Sequence, residues 1–195
     1  MRDEARLERL LDQLRAADDA DCEASAVALG EMGEAALPRL IAALADGDVD
    51  ARFWAVRALW AMGTPAAVNA LVGALGDPSD IVRSGAALAL GELKAKEALE
   101  KLAWLLRDAQ GSAGDHAADA LSKIGEPAVH FLIEALSEPH HWVRVRAARA
   151  LVPIQSADAI PALFRALDDD STVVRYYAED ALARMGVGQM VYFLP

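Results

Sequence analysis

The stretch that decides the fold runs from Asp77 to Leu90 and reads Asp-Pro-Ser-Asp-Ile-Val-Arg-Ser-Gly-Ala-Ala-Leu-Ala-Leu. Turn-forming residues come first, and small apolar residues then recur at the three- and four-residue spacing of an amphipathic helix. A similar order of residue types returns between Asp169 and Leu182. The stretch therefore predicts a turn followed by a helix, within a unit that repeats along the chain.

Six copies of this repeat follow one another. Leucines 30 or 31 residues apart mark the copies, and these marker leucines are Leu14, Leu44, Leu75, Leu106, Leu136 and Leu167. A second leucine stands fifteen residues after each marker: Leu29, Leu59, Leu90, Leu121, Leu151 and Leu182. An alanine stands fourteen residues after each marker: Ala28, Ala58, Ala89, Ala120, Ala150 and Ala181. Columns that stay in phase over six copies predict a repeat array.

Each repeat contains two helical patterns joined by a short turn. In repeat two, Leu37, Leu40, Ile41 and Leu44 share one helix face, and an Asp/Gly turn leads into the second helix. We therefore predict an all-α fold, a right-handed α-solenoid of about six two-helix repeats that form a single domain over residues 1–195. The predicted repeats cover residues 5–33, 34–63, 64–94, 95–125, 126–155 and 156–186, with a C-terminal tail at 187–195.

The chain is acidic, with 19 Lys and Arg residues against 30 Asp and Glu residues and a net charge of −11. This charge argues against binding nucleic acid or anionic membranes through bulk electrostatics. The single cysteine, Cys22, excludes an internal disulfide framework and is expected to be a buried structural thiol. The sequence starts with acidic residues and has no long apolar stretch, so we expect a cytoplasmic protein without a membrane span.

Two columns of charged residues support the prediction of a repeat array. An acid stands two residues after five of the markers, at Asp46, Asp77, Asp108, Glu138 and Asp169. An arginine stands eight residues after four of them, at Arg52, Arg83, Arg144 and Arg175; we call these the ladder arginines. The pattern of acid, Val-Arg, two alanines and leucine resembles the HEAT-repeat family, and most closely its short-repeat phycobilisome lyase-type branch.

The resemblance implies that the acids and ladder arginines form a structural ladder between successive repeats. We expect Arg83 and Arg144 each to hydrogen-bond an acid of the preceding or the same turn. Cys22 and Gly114 occupy the arginine position in repeats one and four, so we expect the ladder to be interrupted there. Because repeat four also carries Gly111, residues 109–115 are predicted to be the loosest internal junction.

Motifs for catalysis are absent from the sequence. It has neither a phosphate-binding loop nor a nucleophile elbow. HEAT-like deoxyhypusine hydroxylases hold iron through His-Glu dipeptides, and none of the four histidines here precedes a glutamate. Asp115, His116 and Asp119 fall within about one helical turn, but a solvated acidic face explains them more simply than a metal site. We therefore predict a protein that is not an enzyme and has no cofactor.

Aromatic and arginine side chains gather at the variable positions of the second helices. In a helix-pair solenoid these helices line the concave face, the usual binding surface. Such residue types are enriched at binding hot spots. The candidate partner-binding residues are Phe53, Trp54, Arg57, Trp60, His116, Trp142, Arg146, Arg149, Tyr176 and Tyr177. The alternative is that some of these aromatic rings fill gaps between repeats.

Two functions remain open at this point. The first is a non-enzymatic scaffold whose concave face binds a protein or peptide. The second is a bilin-lyase-like subunit that holds a tetrapyrrole in the same groove, since aromatic rings and arginines suit tetrapyrrole propionates as well as peptides. The apolar tail at 187–195 either covers the last repeat or forms an interface.

Overall fold

The computed structural model describes residues 2–15, 18–109 and 111–187, and over these residues it consists of twelve α-helices. They are α1 Arg2–Gln13, α2 Asp19–Glu31, α3 Leu37–Ala43, α4 Val49–Met62, α5 Pro65–Ala74, α6 Asp80–Glu92, α7 Leu99–Leu105, α8 Ala113–Ile124, α9 Val129–Ala135, α10 His141–Ile154, α11 Ile160–Ala166 and α12 Thr172–Arg184. Within the described ranges there is no strand. The predicted all-α solenoid of helix pairs is confirmed.

The chain divides into two compact units, Met1–Glu97 and Ala98–Pro195. In the N-terminal unit the second helices α2, α4 and α6 pack in sequence, and each first helix packs on the second helix of its own pair. In the C-terminal unit α8, α10 and α12 pack in the same way, with α7, α9 and α11 against them. Each unit therefore contains three helix pairs that share one packing pattern.

Side chains in the turns define where the helices start and stop. The Asp48 carboxylate accepts the Asp50 backbone N–H at 3.0 Å and caps α4. Gly63 then ends α4 in the left-handed region, with φ 61°, which glycine adopts without steric cost. The Thr64 hydroxyl accepts the Ala67 N–H at 3.3 Å and starts α5. Local turn chemistry thus sets the start of α4 and the boundary between α4 and α5.

Small residues allow the second helices to approach closely. The leucine fifteen residues after each marker is almost fully buried in all six repeats. Gly30 of α2 lies so close to α4 that a Cβ atom there would stand 2.7 Å from the Ala61 Cβ. Such a close approach brings more atoms of the two helices into van der Waals contact.

The ladder joins consecutive repeats through buried ion pairs. Arg52 donates from Nε and Nη2 to both carboxylate oxygens of Asp77, at 2.8 and 3.0 Å. Arg144 reaches Asp169 in the same bidentate way, at 2.7 and 3.0 Å. The hydrogen bond from Arg144 lowers the pKa of Asp169, and the same bond raises the pKa of Arg144. Both pairs are about nine-tenths shielded from solvent.

The ladder runs in a different direction from the one predicted. Arg144 takes its carboxylate partners, Asp169 and Asp170, from the following turn, and its own turn contributes the carbonyl oxygen of Glu138. The expectation of an acid from the preceding or same turn is therefore wrong for Arg144. It is confirmed for Arg83, whose Nη2 lies 3.5 Å from Asp80 at the start of its own helix.

The predicted interruptions are also wrong, because a different arginine serves each repeat that lacks a ladder arginine. Arg15, one residue after its marker leucine, pairs with Asp46 of repeat two. Arg107, at the same position of repeat four, pairs with Glu138 of repeat five. Both replacement pairs are more exposed than the Arg52 and Arg144 pairs. Asp46 and Glu138 are thus paired with arginines even though repeats one and four lack a ladder arginine.

Cys22 is fully buried, and its thiol donates to the Gln13 carbonyl oxygen at 3.3 Å. The interpretation of this cysteine as a structural thiol is confirmed.

Candidate partner-binding surface

The candidate residues of the N-terminal unit lie on α4 and are half-buried. The Phe53 ring packs against Gly85 of α6, where a Cβ atom would be 3.3 Å from the ring. Phe53 also meets Trp54 edge to face, with ring centroids 5.1 Å apart. These contacts place Phe53 between two second helices rather than on an open face.

Arg57 contacts an acid of α2 and an aromatic ring of its own helix, α4. Its Nε donates to Glu23 at 3.1 Å, and its Nη2 contacts the other oxygen of this carboxylate. Its guanidinium carbon lies 4.4 Å from the centroid of the Trp60 ring, which is a cation–π contact. Because the guanidinium already has an acid and an aromatic ring, it is positioned by this unit rather than left without partners.

Arg146 corrects the sequence-based interpretation most sharply. This residue is only 8% exposed, so the expectation that its side chain faces outward is wrong. Its guanidinium donates to the Leu106 and Asp108 carbonyl oxygens, at 2.9 and 2.6 Å, and to the Asp115 carboxylate at 3.1 Å. The carbonyl of Asp108 corresponds to the carbonyl that Arg144 contacts at Glu138. Arg146 therefore makes the carbonyl contact of the ladder arginine that repeat four lacks, while Arg107 makes the carboxylate contact with Glu138.

Gly114 makes this arrangement sterically feasible. A Cβ atom at position 114 would overlap the Arg146 guanidinium. The glycine at the arginine position is thus a close-approach residue, which differs from the helix-weakening role expected from sequence. Whether residues 109–115 form the loosest junction stays a prediction.

His116 and Arg149 belong to a polar cluster around α8. The Nδ1 atom of His116 lies 3.0 Å from the Ser112 carbonyl oxygen. Arg149 contacts the Asp119 carboxylate at 3.0 Å and the Asp115 carbonyl at 3.1 Å. Within the described ranges, no group of three or more potential ligands is arranged to hold a metal ion.

Two pairs of aromatic rings, one at the start of α10 and one on α12, lie on neighbouring helices of the C-terminal unit, and we call them the aromatic cluster. His140 stacks on Trp142 with centroids 4.3 Å apart and an interplanar angle of 12°. Tyr176 and Tyr177 meet edge to face at 5.3 Å. The indole N–H of Trp142 is buried and has no hydrogen-bond acceptor in the described part of the chain. Buried donors normally have a partner, so this N–H is an exception to the usual pairing.

Of the ten candidate residues, only Tyr176 is truly exposed, with 62% of its surface accessible. Trp104 of α7 is 66% exposed and is not among the residues predicted from the sequence. Its neighbours Leu102, Ala103 and Leu105 are buried, and Trp104 falls outside this apolar stripe. That break in the helical periodicity is the signal that could have identified it.

Three open hollows occur in the N-terminal unit, with volumes of about 230, 340 and 300 Å³. They lie along α1 and α3, at the start of α1, and near the start of α5. None of the ten candidate residues lines them. No helix over the described residues has both the length and the apolar character needed to cross a bilayer.

Comparison with known proteins identifies relatives of this architecture. The sequence model for HEAT repeats matches residues 7–90, 70–143 and 129–194. No curated protein matches the chain. Among solved structures, the complex of CpcE and CpcF of phycocyanin lyase from Nostoc sp. PCC7120 is similar, with 28% identity and a TM-score of 0.55 over 92% of this chain and 77% of that chain.

Two further structures share the fold. YibA of Escherichia coli is 21% identical with a TM-score of 0.63, over 95% of this chain and 72% of that chain. A designed armadillo repeat protein in complex with the peptide (KR)4 is 22% identical with a TM-score of 0.53, over 92% of this chain and 99% of that chain.

Proposed function

Because this chain belongs to the HEAT-repeat family, we propose that it is a non-enzymatic interaction scaffold that binds a protein or peptide partner on the concave face of the solenoid. The partner segment contacts side chains of the second helices, which carry the candidate residues. Neither nucleic acid nor a membrane surface is part of this proposal, because the net charge of −11 opposes both. The location that we propose is the cytoplasm.

The observation that carries the proposal is the aromatic cluster of α10 and α12. It combines a stacked His140–Trp142 pair with the Tyr176–Tyr177 pair on the neighbouring helix. Aromatic side chains supply large contact area at low conformational cost, and tyrosine and tryptophan are enriched at hot spots.

The experiment compares variants in affinity capture from cells that produce the protein. Tyr177→Ala and Trp142→Ala are expected to weaken retention of a specific partner about 30-fold, as hot-spot truncations of about 2 kcal/mol do. Trp104→Ala is the matched control, because this exposed aromatic lies on a first helix away from the cluster. Equal capture by all three variants, each first shown to be folded by circular dichroism, would contradict the proposal.

The alternative is a bilin-lyase-like subunit that holds a tetrapyrrole in the same groove. The similarity to the CpcE and CpcF complex of phycocyanin lyase, at 28% identity, supports this second candidate. Adding a linear tetrapyrrole to the purified chain would then shift and intensify its visible absorbance. An unchanged spectrum at about 1 mM protein would exclude binding tighter than millimolar and favour the scaffold.

A further inference from the structure

The last ladder arginine, Arg175 of α12, has no carboxylate partner among the described residues. It contacts the Asp169 carbonyl oxygen, as Arg144 contacts the Glu138 carbonyl. In Arg52 and Arg144, the remaining Nε and Nη2 donors hold an aspartate from the following repeat. Arg175 is half-buried on the last described helix, and its Nε and Nη2 donors have no carboxylate partner among the described residues.

Each aspartate that fills such a position belongs to the same kind of turn. Asp77 and Asp169 both accept the backbone N–H of a serine two residues later, Ser79 or Ser171, at 2.8 Å. This bond fixes the carboxylate while it receives the arginine. The structure therefore shows twice which chemistry binds a ladder arginine: an Asp-x-Ser turn at the start of a helix.

The residue after the ladder arginine indicates a second feature that a segment bound to Arg175 must have. Phe53 follows Arg52 and packs on Gly85, which stands eight residues after Asp77. Tyr176 occupies the corresponding position after Arg175 and is 62% exposed, and Val173 beside it is 46% exposed. A segment that binds Arg175 through an aspartate would thus place its eighth following residue against the Tyr176 ring, where a small residue fits.

Glu179 argues that this face binds a separate partner rather than another repeat of the same kind. At the corresponding position, Ala118 and Ala148 of the preceding second helices are fully buried. Glu179 is exposed there, and its charge would be buried by an identical repeat. A second copy of the chain also lacks the acid, because repeat one has Ala16 at the acidic position.

We propose that the outer face of α12 docks a helical segment of another protein, one that carries an Asp-x-Ser turn followed, eight residues after the aspartate, by glycine or another small residue. Arg175 binds the aspartate, and Tyr176 covers the small residue. This surface shares Tyr176 with the aromatic cluster, because Tyr176 pairs with Tyr177. Arg175 has no part in the proposed function, so substitution of Arg175 tests the inference separately.

The test uses the full chain and a fluorescein-labelled synthetic peptide with the sequence from Leu75 to Leu93, which contains the required turn and glycine. Fluorescence anisotropy is expected to show saturable binding. Arg175→Gln should weaken binding at least tenfold, and an Asp→Asn exchange in the peptide turn should do the same. Combining the two changes should cost no more than either alone, because both remove one ion pair. Arg165→Gln, an exposed arginine of α11, is the matched control and should leave the affinity unchanged.

Several outcomes would overturn this inference. One is the absence of saturation at peptide concentrations of about 1 mM. Another is an equal loss of affinity for Arg175→Gln and Arg165→Gln. Binding by a chain that ends at Val187, but not by the full chain, would show that the remaining residues occupy the face. Self-association that Arg175→Gln abolishes would assign the face to a second copy.

Discussion

The guanidinium of Arg146 lies in the space that a side chain at Gly114 would fill. From there it donates to the Leu106 and Asp108 carbonyl oxygens of the preceding repeat. The arginine that repeat four lacks in sequence is therefore supplied from repeat five. An arginine position that is empty in the sequence of repeat four is thus filled by a side chain of repeat five in the folded chain.

The first prediction concerns Gly114→Ala. The added methyl group displaces the Arg146 guanidinium from its carbonyl partners, and we expect the free energy of unfolding to fall by about 1–3 kcal/mol. Gly73→Ala is the control, because a Cβ atom there would meet no atom within 4 Å. The control should be stabilised by up to about 1 kcal/mol, since alanine favours a helix over glycine. Urea denaturation measures both, and equal shifts would refute the close-approach role of Gly114.

The second prediction moves the arginine to its usual position. Gly114→Arg and Arg146→Ala should each destabilise the chain, the first by steric overlap and the second by removing the buried hydrogen bonds that Arg146 donates to the Leu106 and Asp108 carbonyls. The double variant should recover at least half of the summed loss, because an arginine at 114 can make the contacts that Arg52 and Arg144 make. Thermal unfolding of the four chains gives the coupling energy. Simple additivity would contradict the equivalence of the two arginines.

The third prediction concerns acid stability. Arg144 holds the pKa of Asp169 below its ordinary value of 3.8. Below that value the unfolded chain binds more protons than the folded one, so the contribution of this pair is present above pH 4 and is lost as pH falls through the folded pKa.

Asp169→Asn should therefore lower the free energy of unfolding by about 1–3 kcal/mol at pH 7, and its difference from the unmodified chain should shrink below pH 4. Denaturant titrations between pH 2.5 and pH 7, roughly spanning the ordinary carboxyl pKa, measure this difference. Asp168→Asn, an exposed neighbour, is the control and should show no such trend. A difference that stays constant down to the lowest pH would count against the ladder pair.

The fourth prediction compares the stability cost of replacing a half-buried tryptophan with the cost of replacing an exposed one. Trp54 is half-buried beside Phe53, so Trp54→Ala should cost about 1–3 kcal/mol of stability. Trp104 is 66% exposed, and Trp104→Ala should change stability by no more than about 0.5 kcal/mol. Melting temperatures decide this without a known partner. Similar losses of stability for both variants would mean that the exposure of the tryptophan does not determine the cost of its replacement.

The fifth prediction concerns the turn before α8. Gly111 has φ 67°, whereas the turn before α6 is fixed by the Asp77 carboxylate on the Ser79 N–H. We expect the amide of Gly111 to exchange hydrogen at least tenfold faster than that of Ser79, as in a locally less stable segment. Hydrogen exchange by NMR measures both amides. Equal protection would remove the case for a loose junction in repeat four.

The helix pairs, the buried leucine column and the ladder arginines were predictable from the amino-acid sequence. These features are readable because they rest on local periodicity: a residue type that recurs at one place in a 31-residue repeat meets the same neighbours each time. The exposed position of Trp104 was readable in principle from the same periodicity, because it interrupts the apolar stripe of α7.

Only the tertiary structure decided which partner each charged or aromatic side chain meets. Arg144 and Asp169 are 25 residues apart, and Arg146 and Leu106 are 40 residues apart. Such pairings depend on how far neighbouring helices approach one another, and a single glycine at 114 or 85 changes that distance. A column of residue types cannot show whether Phe53 and Arg146 turn outward or fill the space that a glycine leaves on the next helix. The orientation of each side chain depends on how the space between neighbouring helices is filled at native packing density.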